Sequence, residues 1–248
     1  MTSKEDKARA RSLISNFLQS WTVPASEQGL PVPRIDLTGE SADAVRLVNE
    51  AMGEGEVSIR LTGANDIRIQ ETMFAGVWRI CEFGPQGSLV ADRIEGGAMP
   101  EVVRRTARSG AAAALTLPAL PAGVMNSPAL LHEIDSHMGR WRNGDRAYVV
   151  NLTLLPLSAE DHALIDQLIA PGAVSMISRG FGNCRITSTT ARHVWRVQYF
   201  NNLQSLILDT IEIVDMPEVA VAADEDIADS RERIGELLAW MAEDEVVA

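Results

Sequence analysis

The fold is decided by a stretch of 47 residues that occurs twice in the chain. The first copy, residues 57–103, reads VSIRLTGANDIRIQETMFAGVWRICEFGPQGSLVADRIEGGAMPEVV. The second copy, residues 174–220, reads VSMISRGFGNCRITSTTARHVWRVQYFNNLQSLILDTIEIVDMPEVA. Aligned without a gap, 19 of the 47 pairs are identical, including the Val-Trp-Arg triplets and the closing Met-Pro-Glu-Val. This fixed offset of 117 residues indicates a tandem duplication of one structural unit.

Each copy predicts four short strands, because runs rich in β-branched and aromatic residues alternate with turn formers. In the first copy they cover 57–61, 67–72, 77–83 and 89–95. In the second copy they cover 174–178, 184–189, 194–200 and 206–213. Links as short as Gly84–Gly87 join only antiparallel neighbours.

Upstream of the stretch, each repeat predicts two helices that flank one more strand. The helices begin at Ser3 and Ser41 in the first repeat and at Ser127 and Ser158 in the second, and the strands cover 34–37 and 148–155. We therefore predict an α+β fold of two tandem units. Each would be a small antiparallel sheet with helices on one face.

The repeats set the predicted domain boundaries at residues 1–110 and 127–248, with a linker at 111–126. The linker region is long and uncharged, but its proline, glycine and polar residues argue against a membrane span. The second unit would also carry an acidic C-terminal helix, because apolar residues recur at helical spacing within 218–241.

The net charge of −12 is concentrated at the C-terminus, since residues 209–248 hold 13 acidic and 2 basic residues. The remainder is close to neutral and lacks the basic field that nucleic acid or an anionic membrane requires. The acidic helix is interpreted as solvated charge on a packed helix, or as a surface for a partner or for the first repeat. That repeat ends with basic residues, Arg104, Arg105 and Arg108.

The chain begins without the apolar core of a secretory signal and contains only two cysteines, Cys81 and Cys184. We therefore predict a cytoplasmic protein with reduced thiols. Cys184 could be a reactive thiol, because Arg179 and Arg185 would favour the thiolate. Alternatively it is a small buried hydrophobe, because the matching residue of the first repeat is Ile67.

Two sequence motifs resemble a metal site and a phosphate-binding loop, but their residues and spacing do not fit either site. His132 and His137 are five residues apart, about 140° around a helix, so one metal ion cannot take both. Glu133 and His137 would supply only two ligands. The segment Gly180–Arg185 begins like a phosphate-binding loop but lacks the third glycine and precedes a strand. We predict no catalytic residue, cofactor or metal.

Several strand residues are shared by both copies and invite a structural explanation. The two tryptophans, Trp78 and Trp195, are predicted core anchors. The charged residues are expected to form cross-strand ion pairs. They are Arg68/Arg185, Arg79/Arg196, Asp92/Asp209 and Glu95/Glu212.

Five strings in the second repeat, in this order, resemble a known family. They are LHEIDSHM (131–138), YVVNLTLLPLS (148–158), SRGFGNCRITST (178–189), VWRVQYFN (194–201) and EIVDMPEVA (212–220). The region 118–230 is similar to the HupH/HyaF family of hydrogenase expression/formation proteins. The first repeat is similar more loosely.

The resemblance implies a non-catalytic, chaperone-like maturation factor for an uptake nickel-iron hydrogenase. It implies cytoplasmic binding of the iron–sulfur small subunit, and possible contact with other maturation factors, before assembly and export. The alternative is an enzyme or an iron- or cofactor-delivery protein. The family's recurrent GNCRI string covers Gly182 to Ile186, so the candidate partner-contact residues are Arg179, Gly182, Asn183, Cys184 and Arg185.

Overall fold

A computed structural model describes residues 3–21, 32–180 and 182–247, with the side chains of all except 244–247. The helices within these ranges are α1 (Lys4–Ser20), α2 (Ala42–Met52), α3 (Glu101–Arg108), α4 (Ser127–Arg140), α5 (Ala159–Leu168) and α6 (Asp224–Val247). The strands are β1 (Arg34–Asp36), β2 (Val57–Leu61), β3 (Asp66–Glu71), β4 (Val77–Phe83), β5 (Leu89–Gly96), β6 (Tyr148–Asn151), β7 (Pro171–Ser178), β8 (Asn183–Thr189), β9 (Val194–Phe200) and β10 (Leu206–Ile213). The predicted α+β class is confirmed.

The helix starts follow from local hydrogen bonding. Ser3, Ser41 and Ser158 each accept a hydrogen bond from the backbone N–H three residues ahead. In this way each serine supplies an acceptor to an N–H group that has no partner within the helix. Helix α4 begins at Ser127 as predicted, with proline in its first turn.

The strands follow the same topology in both repeats. The order is β1-β5-β4-β3-β2 in the first and β6-β10-β9-β8-β7 in the second. Pairs β1–β5, β4–β5 and β3–β4 are antiparallel, as are β6–β10, β9–β10, β8–β9 and β7–β8. The register matches too, because Trp78 faces Glu95 and Trp195 faces Glu212. The duplication is thus visible in backbone pairing as well as in sequence.

Several predicted boundaries differ from the structure. Strands β1, β3, β5 and β8 differ from their predicted bounds by one residue, and β7 begins three residues early, at Pro171. The strand expected over 148–155 ends at Asn151, where a short 3-10 turn, Leu152–Leu154, follows. The C-terminal helix expected from residue 218 is preceded by the 3-10 turn Glu218–Ala220 and begins at Asp224.

The chain divides into two compact units, which do not coincide with the sequence repeats at every point. Unit 1 comprises Met1–Ser58, Ala64–Pro100 and Val221–Ala248, and unit 2 comprises Ile59–Gly63 and Glu101–Ala220. Helix α6, which ends the second repeat, therefore belongs to unit 1. Helix α3, which ends the first repeat, belongs to unit 2.

The core of unit 1 explains why α6 groups there. Ile227 and Ile234 of α6 are buried in one cluster with Ile14 and Phe17 of α1 and with Phe74. The guanidinium of Arg233 also lies over the Phe74 ring, 5.2 Å from its centroid. The apolar face of α6 therefore completes the helical layer of unit 1.

Helix α3 is held in unit 2 by charge as well as by burial of Val103. Arg104 and Arg108, one turn apart, both donate to the carboxylate of Asp215, which follows β10. Their positive charges lower the pKa of Asp215, although burial of this carboxyl acts to raise it. Asp215 thus binds two of the three arginines at the basic end of the first repeat.

The segment predicted as a linker makes ordered contacts within unit 2. Ala112 bonds through its backbone to Thr190 and Arg192, and the Leu115 N–H donates to Asp135 Oδ1 at 2.7 Å. Leu115, Leu117 and Val124 pack against the core formed by α4, α5 and β10. Among the described residues, no helix is long and apolar enough to cross a membrane.

Candidate functional site

The turn between β7 and β8 carries four of the five predicted contact residues at or near the surface. Arg179, Gly182 and Arg185 are exposed, and Asn183 is half-buried. Gly182 has φ of +92°, a conformation that glycine adopts without strain, and the space around its Cα is open. The turn therefore presents backbone and two guanidinium groups to solvent.

Cys184, the fifth predicted contact residue, does not face solvent. Its side chain is 1% exposed, because its strand position points into the sheet core. Burial raises the pKa of the Cys184 thiol to about 11. Of the two interpretations, the buried hydrophobe fits this environment, since the thiol is protonated near neutral pH.

Arg185 contacts an aromatic ring rather than a carboxylate. Its guanidinium lies 5.3 Å from the centroid of Phe200, and the matching pair in the first repeat, Arg68 and Phe83, lies at 4.6 Å. Cation–π contact of this kind is worth about 0.5–1 kcal/mol at exposed sites. The ion pairs predicted for these two arginines were wrong in kind: Arg68 donates to Asp66 of its own strand at 3.1 Å.

The cross-strand ion pairs predicted for the other arginines are confirmed. Arg79 binds Asp92 through two nitrogens at 2.8 and 3.1 Å, and Arg196 binds Asp209 through two at 2.6 Å. Arg196 also donates to Asp166 of α5 at 2.8 Å. Asp92 and Asp209 are nearly buried, so these pairs fix the hairpins rather than offer reactive groups.

The remaining shared charges do not cross between strands, contrary to prediction. Glu95 accepts from Arg93 of its own strand at 2.7 Å. Glu212 lies 3.5 Å from the Thr210 hydroxyl, and burial raises the pKa of its carboxyl. Trp78 and Trp195 are each 1% exposed, and each donates its indole N–H to a backbone carbonyl, which confirms them as core anchors.

Glu133 and His137 of α4, the two residues considered as metal ligands, both contact Tyr148. The rings of His137 and Tyr148 stack with centroids 3.4 Å apart, and the Tyr148 hydroxyl donates to Glu133. Within the ranges the structure describes, no group of three or more His, Cys, Asp or Glu side chains is placed to hold a metal ion.

Two polar features of unit 2 were not predicted as such. Asp161 accepts hydrogen bonds from three successive backbone N–H groups, at residues 125 to 127, and from the Ser127 hydroxyl. The spacing Ser158-x-x-Asp161 signalled a helix cap, but not the long-range bonds that join α5 to the start of α4. These bonds link the start of α5 to the start of α4 inside the protein, since Asp161 is fully buried.

The second feature is a small recess lined in part by His193, Arg108 and Asp215. His193 has φ of +62°, and its counterpart in the first repeat is Gly76, with φ of +76°. Burial lowers the pKa of His193, so the imidazole is mainly neutral at pH 7. Neither Cys184 nor Arg185 lines this recess.

Comparison with known proteins identifies the family. The family model described as HupH hydrogenase expression protein, C-terminal conserved region, matches twice, at residues 10–120 and 124–241. The chain belongs to the HupH family of hydrogenase expression proteins. Both repeats carry the family's conserved region, including the first, where the resemblance had been looser.

Relatives support the assignment over most of the chain. The hydrogenase expression/formation protein HoxQ of Cupriavidus necator is 47% identical, covering 94% of this chain and 82% of its own. HupH of Rhodobacter capsulatus is 46% identical, covering 82% and 72%. The hydrogenase-1 operon protein HyaF of Escherichia coli is 35% identical, covering 84% and 73%. The similarity to these relatives therefore extends over most of the chain.

Proposed function

We propose that this HupH-family chain is a chaperone-like factor in the maturation of an uptake nickel-iron hydrogenase. Its proposed partner is the iron–sulfur small subunit, bound in the cytoplasm before assembly with the large subunit and export. The observation that carries the proposal is the match of both repeats to the family model of a hydrogenase expression protein.

The site favours binding over chemistry. The predicted contact turn offers two exposed arginines and an open glycine, while its one nucleophile, Cys184, is buried and protonated. The duplicated charged pairs stabilise hairpins. The exposed residues of the contact turn therefore support protein binding more than a reaction at Cys184.

Co-purification tests the proposal. A tagged chain would be expressed in cells that are synthesising the hydrogenase and recovered at intervals after induction. We expect the small subunit to be recovered early, before the large subunit joins it. Recovery of neither subunit at any time would contradict the proposal, and stoichiometric iron on the purified chain would favour cofactor delivery instead.

A further inference from the structure

The hairpin between β9 and β10 ends in large apolar side chains that are exposed. Leu203 in the turn is 84% exposed, and Leu206 and Ile207 at the start of β10 are 48% and 57% exposed. Covering these side chains with a partner would be favourable, because it removes apolar surface from water. We call Leu203, Leu206 and Ile207 the apolar end of unit 2.

Strand topology brings the β7–β8 turn to the same end of the strands as the β9–β10 turn. Both turns lie at this end because successive strands from β7 to β10 alternate in direction. Phe200 pairs with Asn183 of β8 and with Leu206 of β10, and its ring carries the Arg185 guanidinium. The apolar end is therefore continuous with the candidate contact turn.

A third segment lies at the same end of the strands. Strand β6 runs antiparallel to β10, so the 3-10 turn that follows it lies towards the start of β10. The Asp209 N–H donates to the Thr153 hydroxyl at 2.8 Å, which holds this turn beside β10. Leu154 of the turn is 79% exposed.

The charged side chains at this end of the strands are all positive. The described residues of the three segments that form it, 152–158, 179–187 and 198–208, include Arg179 and Arg185 but no Asp or Glu. Arg179 is exposed, and Arg185 is exposed and bound only to an aromatic face among the contacts of the described residues. A binding partner would therefore meet exposed leucines beside unneutralised positive charge.

The first repeat provides an internal comparison. Leu89 and Val90, which correspond to Leu206 and Ile207, are also exposed. The position of Leu203 is occupied there by Gln86, and that of Leu154 by Leu37, which is buried. The apolar pair is common to both units, but only unit 2 extends it into a larger surface.

We propose that the apolar end of unit 2 binds a segment of a protein partner that carries apolar side chains next to carboxylates. Apolar side chains of the segment cover Leu203, Leu206 and Ile207, and its carboxylates pair with Arg179 and Arg185. This inference rests on the proposed function, because it supplies the surface through which that partner is held. Arg185 is already oriented by Phe200, which reduces the entropy lost on pairing.

The first test measures the affinity of the chain for purified hydrogenase small subunit. The triple variant Leu203→Gln/Leu206→Ser/Ile207→Ser is expected to weaken binding at least tenfold. The variant Arg179→Glu is expected to weaken it several-fold, more at low salt than at high salt. The matched control in the first repeat, Leu89→Ser/Val90→Ser, is expected to retain wild-type affinity.

Equal affinity of the triple variant and the wild type would overturn the inference and leave the proposed function intact. The inference would also be overturned if light scattering showed that the wild type is a dimer and the triple variant a monomer. A second copy of the chain would then occupy the surface. Circular dichroism and unfolding temperature confirm that each variant is folded.

A second probe separates the inference from the proposed function. The dye 8-anilino-1-naphthalenesulfonate is an apolar anion with the chemistry inferred for the bound segment. We expect its fluorescence to rise with the wild type and the first-repeat control, and to fall severalfold with the triple variant. If the small subunit fails to bind the wild type, the proposed function is contradicted and this dye measurement alone decides the inference: unchanged fluorescence of the triple variant overturns it.

Discussion

At the scale of single residues, the Asp161 carboxylate joins two helix starts within unit 2. It accepts from three backbone N–H groups before and at the start of α4, and from the Ser158 N–H at the start of α5. These hydrogen bonds lower the pKa of Asp161, although burial acts to raise it. The charged carboxylate is therefore the form that the fold stabilises.

Substitution Asp161→Asn tests this role. We expect the unfolding temperature to fall by on the order of 5 °C at pH 7, because an amide cannot accept all of these bonds. A carboxyl with a lowered folded-state pKa stabilises above its unfolded-state pKa of about 3.9, and loses that effect as pH falls. The difference between variant and wild type should therefore shrink below pH 4 in calorimetry.

The matched control is Asp166→Asn on the same helix, where the carboxylate is largely exposed and pairs with Arg196. We expect it to change the unfolding temperature little, because surface ion pairs contribute about 0–1 kcal/mol. A difference for Asp161→Asn that stays constant from pH 7 to pH 3 would contradict the role of the charge.

The buried thiol of Cys184 predicts slow chemical modification. With its pKa at about 11, roughly one thiol in a thousand is ionised at pH 8. In a Cys81→Ala variant we expect the remaining thiol to react with a disulfide reagent at least 100-fold more slowly than free cysteine, and fully after unfolding. The rate should rise with pH towards 11. Reaction at the rate of free cysteine would instead mark an accessible thiolate.

At the scale of elements, the hairpins are fixed by the duplicated ion pairs. Substitution Arg79→Met leaves the nearly buried Asp92 carboxylate without its partner, and we expect a loss of about 2 kcal/mol. The double variant Arg79→Met/Asp92→Leu should lose less than the sum of the two single variants. Urea unfolding measures the coupling.

The second repeat supplies a replicate of this cycle, Arg196→Met with Asp209→Leu. We expect coupling of the same sign in both repeats. Additive effects in both would show that the pairs contribute nothing specific.

The elements also show how far sequence reasoning reached. Two related sequences constrained each strand, so β2, β4, β9 and β10 have their predicted bounds. Burial of Trp78 followed from its place in an apolar strand shared by both repeats. Local patterns carry such information because alternation and capping depend on neighbouring residues.

Contacts between segments that are distant in the chain could not be predicted from the sequence. The amphipathic pattern of α6 shows that one face packs, but not against which apolar surface, so its place in unit 1 was not predicted. Likewise, Arg185 was predicted to form an ion pair, and only the folded register puts it over Phe200. The apolar end was missed because exposure of Leu203 depends on its neighbours in space.

At the scale of the whole molecule, the grouping of α6 with unit 1 makes a prediction about cooperativity. Ile234 is fully buried among α1 residues, so Ile234→Ala should cost about 3 kcal/mol. Hydrogen exchange should then accelerate in α1 and not in α4, although α4 belongs to the same sequence repeat as α6.

The control for this prediction is Trp240→Ala, on the same helix but 62% exposed. Its effect on the free energy of unfolding should stay within about 0.5 kcal/mol. Faster exchange in α4 with α1 unchanged would contradict the grouping.

We propose that this HupH-family chain is needed to bring a hydrogenase small subunit to assembly. The most direct measurement follows the hydrogenase in cells from which the chain has been deleted. We predict that unassembled small subunit accumulates, that hydrogenase activity falls at least tenfold, and that the full chain restores both. Normal assembly and full activity without the chain would contradict the account.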